Sequence, residues 1–390
     1  MVVVPVEKIV RHILIEAVKR RASDIFIEPL EDRLQVRLRI DGLLAQFNSF
    51  PLSFHPPIIS RLKVISNLDI SEHRLPQDGR FKLRLPNKEV DFRLSIMPSR
   101  LGEKAVSRIL DKSGLILDIN RLGLDSHSLD LLEKNLKSSY GIILVCGPTG
   151  CGKTTSLYAC LKHIDSIEKN IITVEDPIEY QLHGINQVEA NEEIGFTFAN
   201  VLRSILRQDP NIILVGEMRD SETAEIAIRA ALTGHLVLST LHTTTATGAL
   251  IRLINMGIEP FLISSSCLLV ASQVLLRLFC PECKQEYKPQ QTFLEEIKRC
   301  GLDLEEVPLV YQAKGCAKCN NSGYLGRTAV METLPLSPAI KDMIEHNLSE
   351  VEIRKKARAE GMPTLRQNAL QLVLKGLTSI EEAVRLTAPD

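Results

Sequence analysis

Four short apolar runs recur in the central part of the chain, separated by stretches with the apolar spacing of helices. These runs are residues 142–146, 171–174, 212–215 and 236–238. Continuous apolar runs of this kind are typical of strands buried on both faces, and the helical stretches between them indicate right-handed crossovers. The pattern therefore predicts an α/β unit built on a parallel sheet.

The first part of the chain has a different periodicity. Apolar and polar residues alternate over residues 34–40 and again over 90–96, after a helical pattern over residues 6–21. Strict alternation is typical of strands with one buried face. We therefore expect a smaller mixed domain of helices and strands before the parallel sheet.

The longest apolar window covers residues 261–279, and serines, a glutamine and Arg277 interrupt it. These interruptions favour a buried helix over a membrane span. The first residues lack the features of a secretion signal, so we predict a cytoplasmic protein. The 390 residues carry a formal net charge of −1, and this balance does not support a nucleic-acid partner.

Glycine and aspartate positions in segment 111–123 indicate a domain boundary. We predict an N-terminal α+β domain, a linker, a core with the parallel sheet, a cysteine-rich insert and a C-terminal helical region. Their predicted bounds are 1–113, 114–122, 123–279, 280–322 and 323–390.

A glycine-rich segment follows the first apolar run and leads into a helical pattern. It consists of Gly147, Pro148, Thr149, Gly150, Cys151, Gly152, Lys153, Thr154 and Thr155. A strand, a glycine-rich turn and a helix start place backbone N–H groups around a polyphosphate. Lys153 is then expected at the β- and γ-phosphates, and Thr154 in the Mg²⁺ shell. The alternative is a glycine-rich turn before an ordinary helix, and the complete motif in its context argues against it.

Acidic and hydroxyl residues end the other apolar runs, namely Glu175, Asp176, Glu217 and residues 239–243. Because parallel sheets bind ligands at the carboxyl ends of their strands, we expect these residues to approach the nucleotide, although each acid alone fits a helix cap. Glycine occupies position 216, where an aspartate normally supports the Mg²⁺ water shell. We predict that Glu217 polarises the attacking water and that Glu175 or Asp176 supports the metal.

Two C-x-x-C pairs flank a polar insert, and they consist of Cys280, Cys283, Cys316 and Cys319. In a reducing compartment, paired cysteines of this spacing are metal ligands more often than disulfides, and two pairs complete a tetrahedral Zn²⁺ site. The alternative is a thioredoxin-like redox pair, which requires one pair beside a βαβ unit. The other cysteines are expected to be small apolar residues.

The motifs resemble those of the ATPases of type II secretion and type IV pilus assembly along nearly the whole chain. Outside the glycine-rich segment, the resemblance rests on residues 22–25, 37–42, 76–80, 173–179, 209–220, 233–243, 280–319 and 323–327. It implies a RecA-like P-loop ATPase core preceded by a PAS-like domain, with ATP, Mg²⁺ and Zn²⁺ as cofactors. In that family the residue matching Glu217 is the catalytic base, and arginines matching Arg93 and Arg108 reach the nucleotide phosphates.

The resemblance also implies a homo-hexamer that is peripheral at the cytoplasmic face of the inner membrane. There it would drive assembly of pilin-like subunits through membrane platform proteins. Residues 256–266 favour secretion and residues 184–188 favour pili, so we predict secretion and keep pilus assembly as the alternative. A DNA-translocating motor and an ATP-sensing module without hydrolysis also remain open. The family usually has a further N-terminal docking domain, whereas this chain starts almost directly at the first helix.

The family's histidine motif matches residues His235 and His242, which we assign to the nucleotide site together with the phosphate loop. They lie seven positions apart, so an extended chain would separate their backbones by roughly 20 Å. We therefore expect His242 to contact the γ-phosphate, and His235 to bond within the fold or across a subunit boundary.

Overall fold

A computed structural model describes residues 5–111, 116–302 and 308–388. The chain divides into two compact units, Met1–Leu115 and Ile116–Asp390. The predicted linker 114–122 falls at this division, but it is not free of packing. Ile119 and Leu122 are buried in the core of the second unit, and the backbone N–H of Ala329 donates to the Leu122 carbonyl at 3.1 Å. Positions 114 and 115 lie outside the described residues.

The first unit is a sheet covered by two helices. Its helices are α1 (Val6–Lys19) and α2 (His55–Ile65), and its strands are β1 (Ala22–Pro29), β2 (Arg33–Ile40), β3 (Leu43–Pro51), β4 (Gln77–Leu85), β5 (Lys88–Ser99) and β6 (Gly102–Leu110). The strands form one antiparallel sheet of order β3-β2-β1-β6-β5-β4. The inward positions of β2 and β5 are buried with the apolar side of α1, as the alternating pattern predicts.

The second unit contains the predicted parallel sheet. Its strands are β7 (Gly141–Cys146), β8 (Ile171–Glu175), β9 (Asn186–Glu189), β10 (Ile212–Val215), β11 (Leu236–Leu241), β12 (Cys267–Phe279) and β15 (Tyr324–Pro335), in the order β15-β12-β7-β11-β10-β8-β9. Neighbouring strands are parallel except the pair β12 and β15, which is antiparallel. The four apolar runs are thus β7, β8, β10 and β11, fully buried between helices.

Helices connect the strands of this sheet and cover it, and four of the described helices come after its last strand, β15. They are α3 (Ser126–Leu136), α4 (Lys153–Ile164), α5 (Phe198–Ile205), α6 (Ser221–Leu232), α7 (Ala246–Asn255), α8 (Pro260–Ser266), α10 (Pro338–Glu345), α11 (Glu350–Ala359), α12 (Leu365–Leu374) and α13 (Ile380–Leu386). A small antiparallel pair, β13 (Lys284–Tyr287) and β14 (Val310–Ala313), and α9 (Gln291–Arg299) form the cysteine-rich insert.

The prediction of a buried helix over residues 261–279 is wrong for most of that window. Only α8 is helical, and the rest is the long strand β12, buried between β7 and β15. Its polar residues find partners inside the fold; the Ser272 hydroxyl, for example, donates to the Thr244 carbonyl at 2.9 Å. Among the described residues, no helix has the length and apolar character needed to cross a membrane.

The expectation of a helical region over residues 323–390 also needs correction. Its first part is β15, which completes the sheet beside β12, and helices begin only at Pro338. The insert therefore interrupts the sheet between two of its strands, since β12 ends at Phe279 and β15 starts at Tyr324.

Candidate nucleotide site and metal centre

The glycine-rich segment connects β7 to α4 as a phosphate loop. Helix α4 begins at Lys153, and Gly152 caps it with a φ of 88°. This left-handed conformation suits glycine because it has no Cβ to clash with the backbone. Gly147 also has a positive φ of 146°, and a Cβ on it would lie 2.3 Å from the Gln273 carbonyl oxygen. Both glycines are therefore required by the geometry of the loop.

Lys153 lies back against the phosphate loop. Its ammonium donates hydrogen bonds to the carbonyl oxygens of Gly147 at 2.7 Å and Pro148 at 3.2 Å, and the side chain is buried. Thr154 and Thr155 follow on the first turn of α4 and are half-buried. The helix start thus places a lysine and a threonine hydroxyl beside the free N–H groups of the loop, as an anion site requires.

Glu175, at the end of β8, is committed to buried hydrogen bonds. Its carboxylate accepts from the hydroxyl of Tyr158 on α4, from the Thr173 hydroxyl at 2.6 Å and from the Gln187 amide at 3.1 Å. Burial, together with the Glu175 charge, raises the pKa of Tyr158 far above its ordinary value. These bonds connect α4 with β8 and leave Glu175 only 3% exposed, so the structure favours a role in holding the site together.

Glu217, two positions beyond β10, lies between a guanidinium and an imidazole. One carboxylate oxygen pairs with the Arg219 guanidinium, and the other lies 3.2 Å from Nε2 of His242. Arg219 also lies 3.6 Å from the carboxylate of Asp176, which is exposed. The structure therefore brings together Glu217, Asp176 and His242 at one edge of the sheet, as the sequence predicts, and adds Arg219.

Close packing explains the glycine at position 216. A Cβ there would lie 3.2 Å from the Val174 carbonyl oxygen and 3.3 Å from Cα of Glu175, which is tighter than most Cβ contacts. The Gly216 N–H also donates to the Val174 carbonyl at 2.8 Å. A side chain at position 216 would require the β8 backbone to shift by a few tenths of an ångström, and the acid that follows directly in the chain is Glu217.

The hydroxyls of Ser239 and Thr240, which the sequence predicts to approach the nucleotide, donate to backbone carbonyls. Both residues are buried, and the acceptors are the carbonyls of Val215 and Gly216, each at 2.7 Å. These bonds tie the end of β11 to β10 just before Glu217. The two hydroxyls thus fix the point from which Glu217 projects.

His235 and His242 occupy opposite ends of β11. His242 follows the carboxyl end and is exposed beside Glu217, whereas His235 precedes the amino end, where Nδ1 lies 3.0 Å from the Ala230 carbonyl oxygen. The assignment of His235 to the nucleotide site of its own chain is therefore corrected, since the phosphate loop lies at the other end of the sheet. The expectation that it bonds within the fold agrees with this contact.

In the first unit, a row of cross-strand neighbours carries the predicted arginines. Arg80, Arg93, Arg108, Asp24 and Arg39 lie opposite one another in turn on β4, β5, β6, β1 and β2. Directly opposed residues share one face of a sheet. Asp24 pairs with Arg108 at 3.2 Å and with Arg39 at 3.3 Å. The row thus brings four arginines and one aspartate together on one face of the sheet. Sequence reasoning missed Arg80, which its register opposite Arg93 identifies.

The four predicted metal ligands form one cluster. The Sγ atoms of Cys280, Cys283, Cys316 and Cys319 all lie within 4.8 Å of one another. The Sγ–Sγ distance is 3.8 Å for Cys280 and Cys316, 3.8 Å for Cys283 and Cys319, and 3.7 Å for Cys316 and Cys319. Four thiolates at a Zn–S distance of about 2.3 Å would stand about 3.8 Å apart, whereas a disulfide needs about 2.05 Å. The four cysteines therefore have the spacing of a tetrahedral zinc site.

Backbone donors reinforce this cluster. The N–H groups of Cys316 and Gly323 each donate to Sγ of Cys319 at 3.2 Å. Burial by itself would raise the pKa of Cys319, but these donors stabilise the thiolate and bring the pKa down to about 6. In contrast, burial raises the pKa of Cys160 and Cys267 to about 12, which agrees with their prediction as inert apolar residues.

Comparison with known proteins gives concordant matches over nearly the whole chain. The type II/IV secretion system protein family matches residues 3–385. The type IV pilus assembly ATPase PilB of Myxococcus xanthus is 47% identical over 99% of this chain and 68% of its own length. The type II secretion system ATPase E of Vibrio cholerae is 47% identical over 98% of this chain and 75% of its own.

A solved structure agrees with these relatives. The crystal structure of the pilus retraction motor PilT with bound ADP matches with a TM-score of 0.63 and 27% identity, and it covers 97% of this chain and 96% of that one. The fold is thus that of a motor that binds an adenine nucleotide.

Proposed function

This chain belongs to the type II/IV secretion system protein family, and we propose that it is the ATPase that powers assembly of pilin-like subunits for type II secretion. It is an ATP hydrolase, as its relatives are. Assembly of type IV pili is the alternative, because the pilus and secretion relatives are equally identical at 47%.

One observation carries the proposal. A complete phosphate loop and a following helix share one sheet edge with Glu217, the acid that follows the apolar strand β10, which β11 separates from β7. Lys153 would hold the β- and γ-phosphates of ATP, and Thr154 would join the shell of Mg²⁺, which offsets phosphate charge. Glu217 would orient and deprotonate the attacking water. Its pairing with Arg219 and His242 keeps it in place at the sheet edge.

Several other residues have supporting roles in this proposal. Asp176 would assist the metal shell, while Glu175 acts through its bonds to Tyr158 and Thr173. His242, beside Glu217, would contact the γ-phosphate. The glycines of the loop would supply backbone N–H groups.

Arg93 and Arg108 would neutralise phosphate charge from the first unit. The support for this role is the row of arginines that the strand register places side by side on one face of that sheet. Positive groups that reach the transferring phosphoryl group stabilise its transition state. Arg93→Ala and Arg108→Ala should each lower turnover, whereas Arg84→Ala, an exposed arginine paired with Glu89, should not.

The cysteine cluster would hold one structural Zn²⁺, since four thiolates close the coordination shell. We further propose a homo-hexamer at the cytoplasmic face of the inner membrane, with platform proteins as partners. These features follow the family and not a contact seen in this chain.

A turnover assay separates the remaining functions. Purified protein should release phosphate from ATP, and phospholipid vesicles should stimulate it more than duplex DNA does. Stronger stimulation by DNA would favour a translocating motor. ATP binding without phosphate release, at any protein concentration that supports oligomers, would favour a sensing module and contradict the proposal.

A further inference from the structure

Gln273 is a polar side chain buried beside the phosphate loop. It lies on β12 immediately after Ser272, whose backbone is paired with Cys146 at the end of β7, and it is 1% exposed. Its side-chain Nε2 donates to the Cys151 carbonyl at 2.6 Å, and its Oε1 accepts from the Ser156 hydroxyl at 2.7 Å. Both ends of the amide are thus satisfied away from water.

The two partners of this amide lie on either side of Lys153 and Thr154. Cys151 belongs to the loop, and Ser156 belongs to the first turn of α4, where its N–H donates to the Gly152 carbonyl at 3.0 Å. One side chain therefore sets the spacing between the loop and the helix start. The direction of the free N–H groups depends on this spacing.

Gln273 also packs so closely against the phosphate loop that it leaves little room for side chains at two of its glycines. Its backbone oxygen would lie 2.3 Å from a Cβ on Gly147, and its Nε2 would lie 3.1 Å from a Cβ on Gly152. Gly147 begins the loop and Gly152 ends it. The same residue thus packs against both ends of the loop and bridges the Cys151 carbonyl to α4.

We infer that Gln273 is a positioning residue, which holds the phosphate loop in register with α4 from the neighbouring strand. This inference rests on the proposed ATPase function. Moving the loop would break two buried hydrogen bonds that water cannot replace. Gln273 therefore acts on the nucleotide through Lys153 and the loop N–H groups.

The test replaces Gln273 with methionine, which keeps the chain length and removes both hydrogen bonds. We expect the Kd of a fluorescent ADP analogue to rise about tenfold and kcat for ATP to fall by a similar factor, because small displacements of a positioning group are costly. The matched control is Gln285→Met, the same change on the exposed strand β13. That variant should keep the native Kd and kcat.

A double-mutant cycle distinguishes positioning from simple loss of packing. Ser156→Ala should raise the Kd several-fold by itself, but adding it to Gln273→Met should have little further effect, because the amide that it contacts is already absent. If the two substitutions weakened binding through independent losses of packing, their fold-changes in Kd would instead multiply.

Each outcome has a defined meaning. Native Kd and kcat in Gln273→Met, or multiplicative effects in the cycle, would overturn the inference. If Gln273→Met does not fold, the inference is tested with Ser156→Ala alone. A native Kd in that variant would contradict the role given to the hydrogen bond between Ser156 and Gln273. Failure of the unmodified protein to turn over ATP would contradict the proposed function instead, since that result does not involve Gln273.

Discussion

The phosphate loop and the cysteine cluster lie at the same strand but depend on different interactions. Gln273 on β12 holds the loop, and Cys280 follows the end of that strand. The loop rests on a seven-stranded sheet with a large buried core, whereas the cluster stands on a two-stranded sheet and is packed mainly by its own cysteines and Leu325. The fold shapes the first region, whereas the proposed Zn²⁺ would hold the second together.

This difference suggests that the two regions can be damaged separately. Loop geometry follows from glycine conformations and backbone packing, which a side-chain change at the phosphates does not disturb. In a small insert, metal-binding free energy serves as folding free energy. Arg277 lies on β12 between Gln273 and Cys280, and it pairs with Glu382. Breaking this ion pair therefore tests whether one region depends on the other.

The largest effect on turnover is expected from Lys153→Ala. Removing the ammonium from the phosphates should abolish phosphate release, because no other described lysine joins the loop. Zinc content should stay at the native value. Lys169→Ala, an exposed lysine of the same unit, serves as the control in a steady-state phosphate assay. Substantial turnover in Lys153→Ala would contradict the assignment of the loop.

Glu217→Gln should slow hydrolysis by about a hundredfold or more while ATP binding remains, since the general base acts only on water. Single-turnover kinetics and nucleotide titration measure the two quantities separately. Glu225→Gln, on the exposed side of α6, should leave both unchanged. Near-native hydrolysis in Glu217→Gln would move the base to another acid.

Replacing Cys280 and Cys283 together with serine should remove about one Zn²⁺ per chain and unfold the insert. The phosphate-loop region should keep its nucleotide affinity, because its core does not include the cluster. Metal analysis and limited proteolysis report the two outcomes. Cys300→Ala, in the same insert but outside the cluster, should retain the metal. Protein purified without chelator and free of zinc would refute the site.

The smallest effect on nucleotide and zinc binding is expected from breaking the ion pair of Arg277 and Glu382, which lies between the two regions. Glu382 on α13 is 1% exposed and pairs with Arg277 at 2.7 Å and Arg385 at 2.9 Å. Burial alone would raise the pKa of Glu382, but the two guanidinium groups hold it below its ordinary value. Glu382→Gln should therefore cost about 1.5–3 kcal/mol of stability at neutral pH, with nucleotide affinity and zinc content unchanged.

The pH dependence follows from the lowered pKa. A carboxylate with a depressed folded pKa contributes its full stability above the unfolded value, and that contribution is lost as the pH falls through the folded value. The difference in melting temperature between the native chain and Glu382→Gln should thus shrink as the pH falls below the ordinary glutamate pKa of 4.5. A constant difference would show that the charge does not stabilise this strand.

Some of the site was predictable because its chemistry is local in sequence. The phosphate loop consists of glycines, a lysine and a threonine that are close in sequence. Each cysteine pair has a fixed short spacing, so both motifs can be recognised from local sequence. The buried runs at β7, β8, β10 and β11 also follow from apolar composition alone.

Tertiary structure decided what depends on neighbours distant in sequence. The window 261–279 has the composition of a buried helix, but pairing with β7 and β15 makes most of it a strand. Ser239 and Thr240 have hydroxyls suited to a ligand, yet the carbonyls of β10 take them. The contacts of the Gln273 side chain could not be predicted, because its partners lie more than a hundred residues earlier in the chain. A hydrogen bond depends on distance in space, and only the folded chain sets that distance.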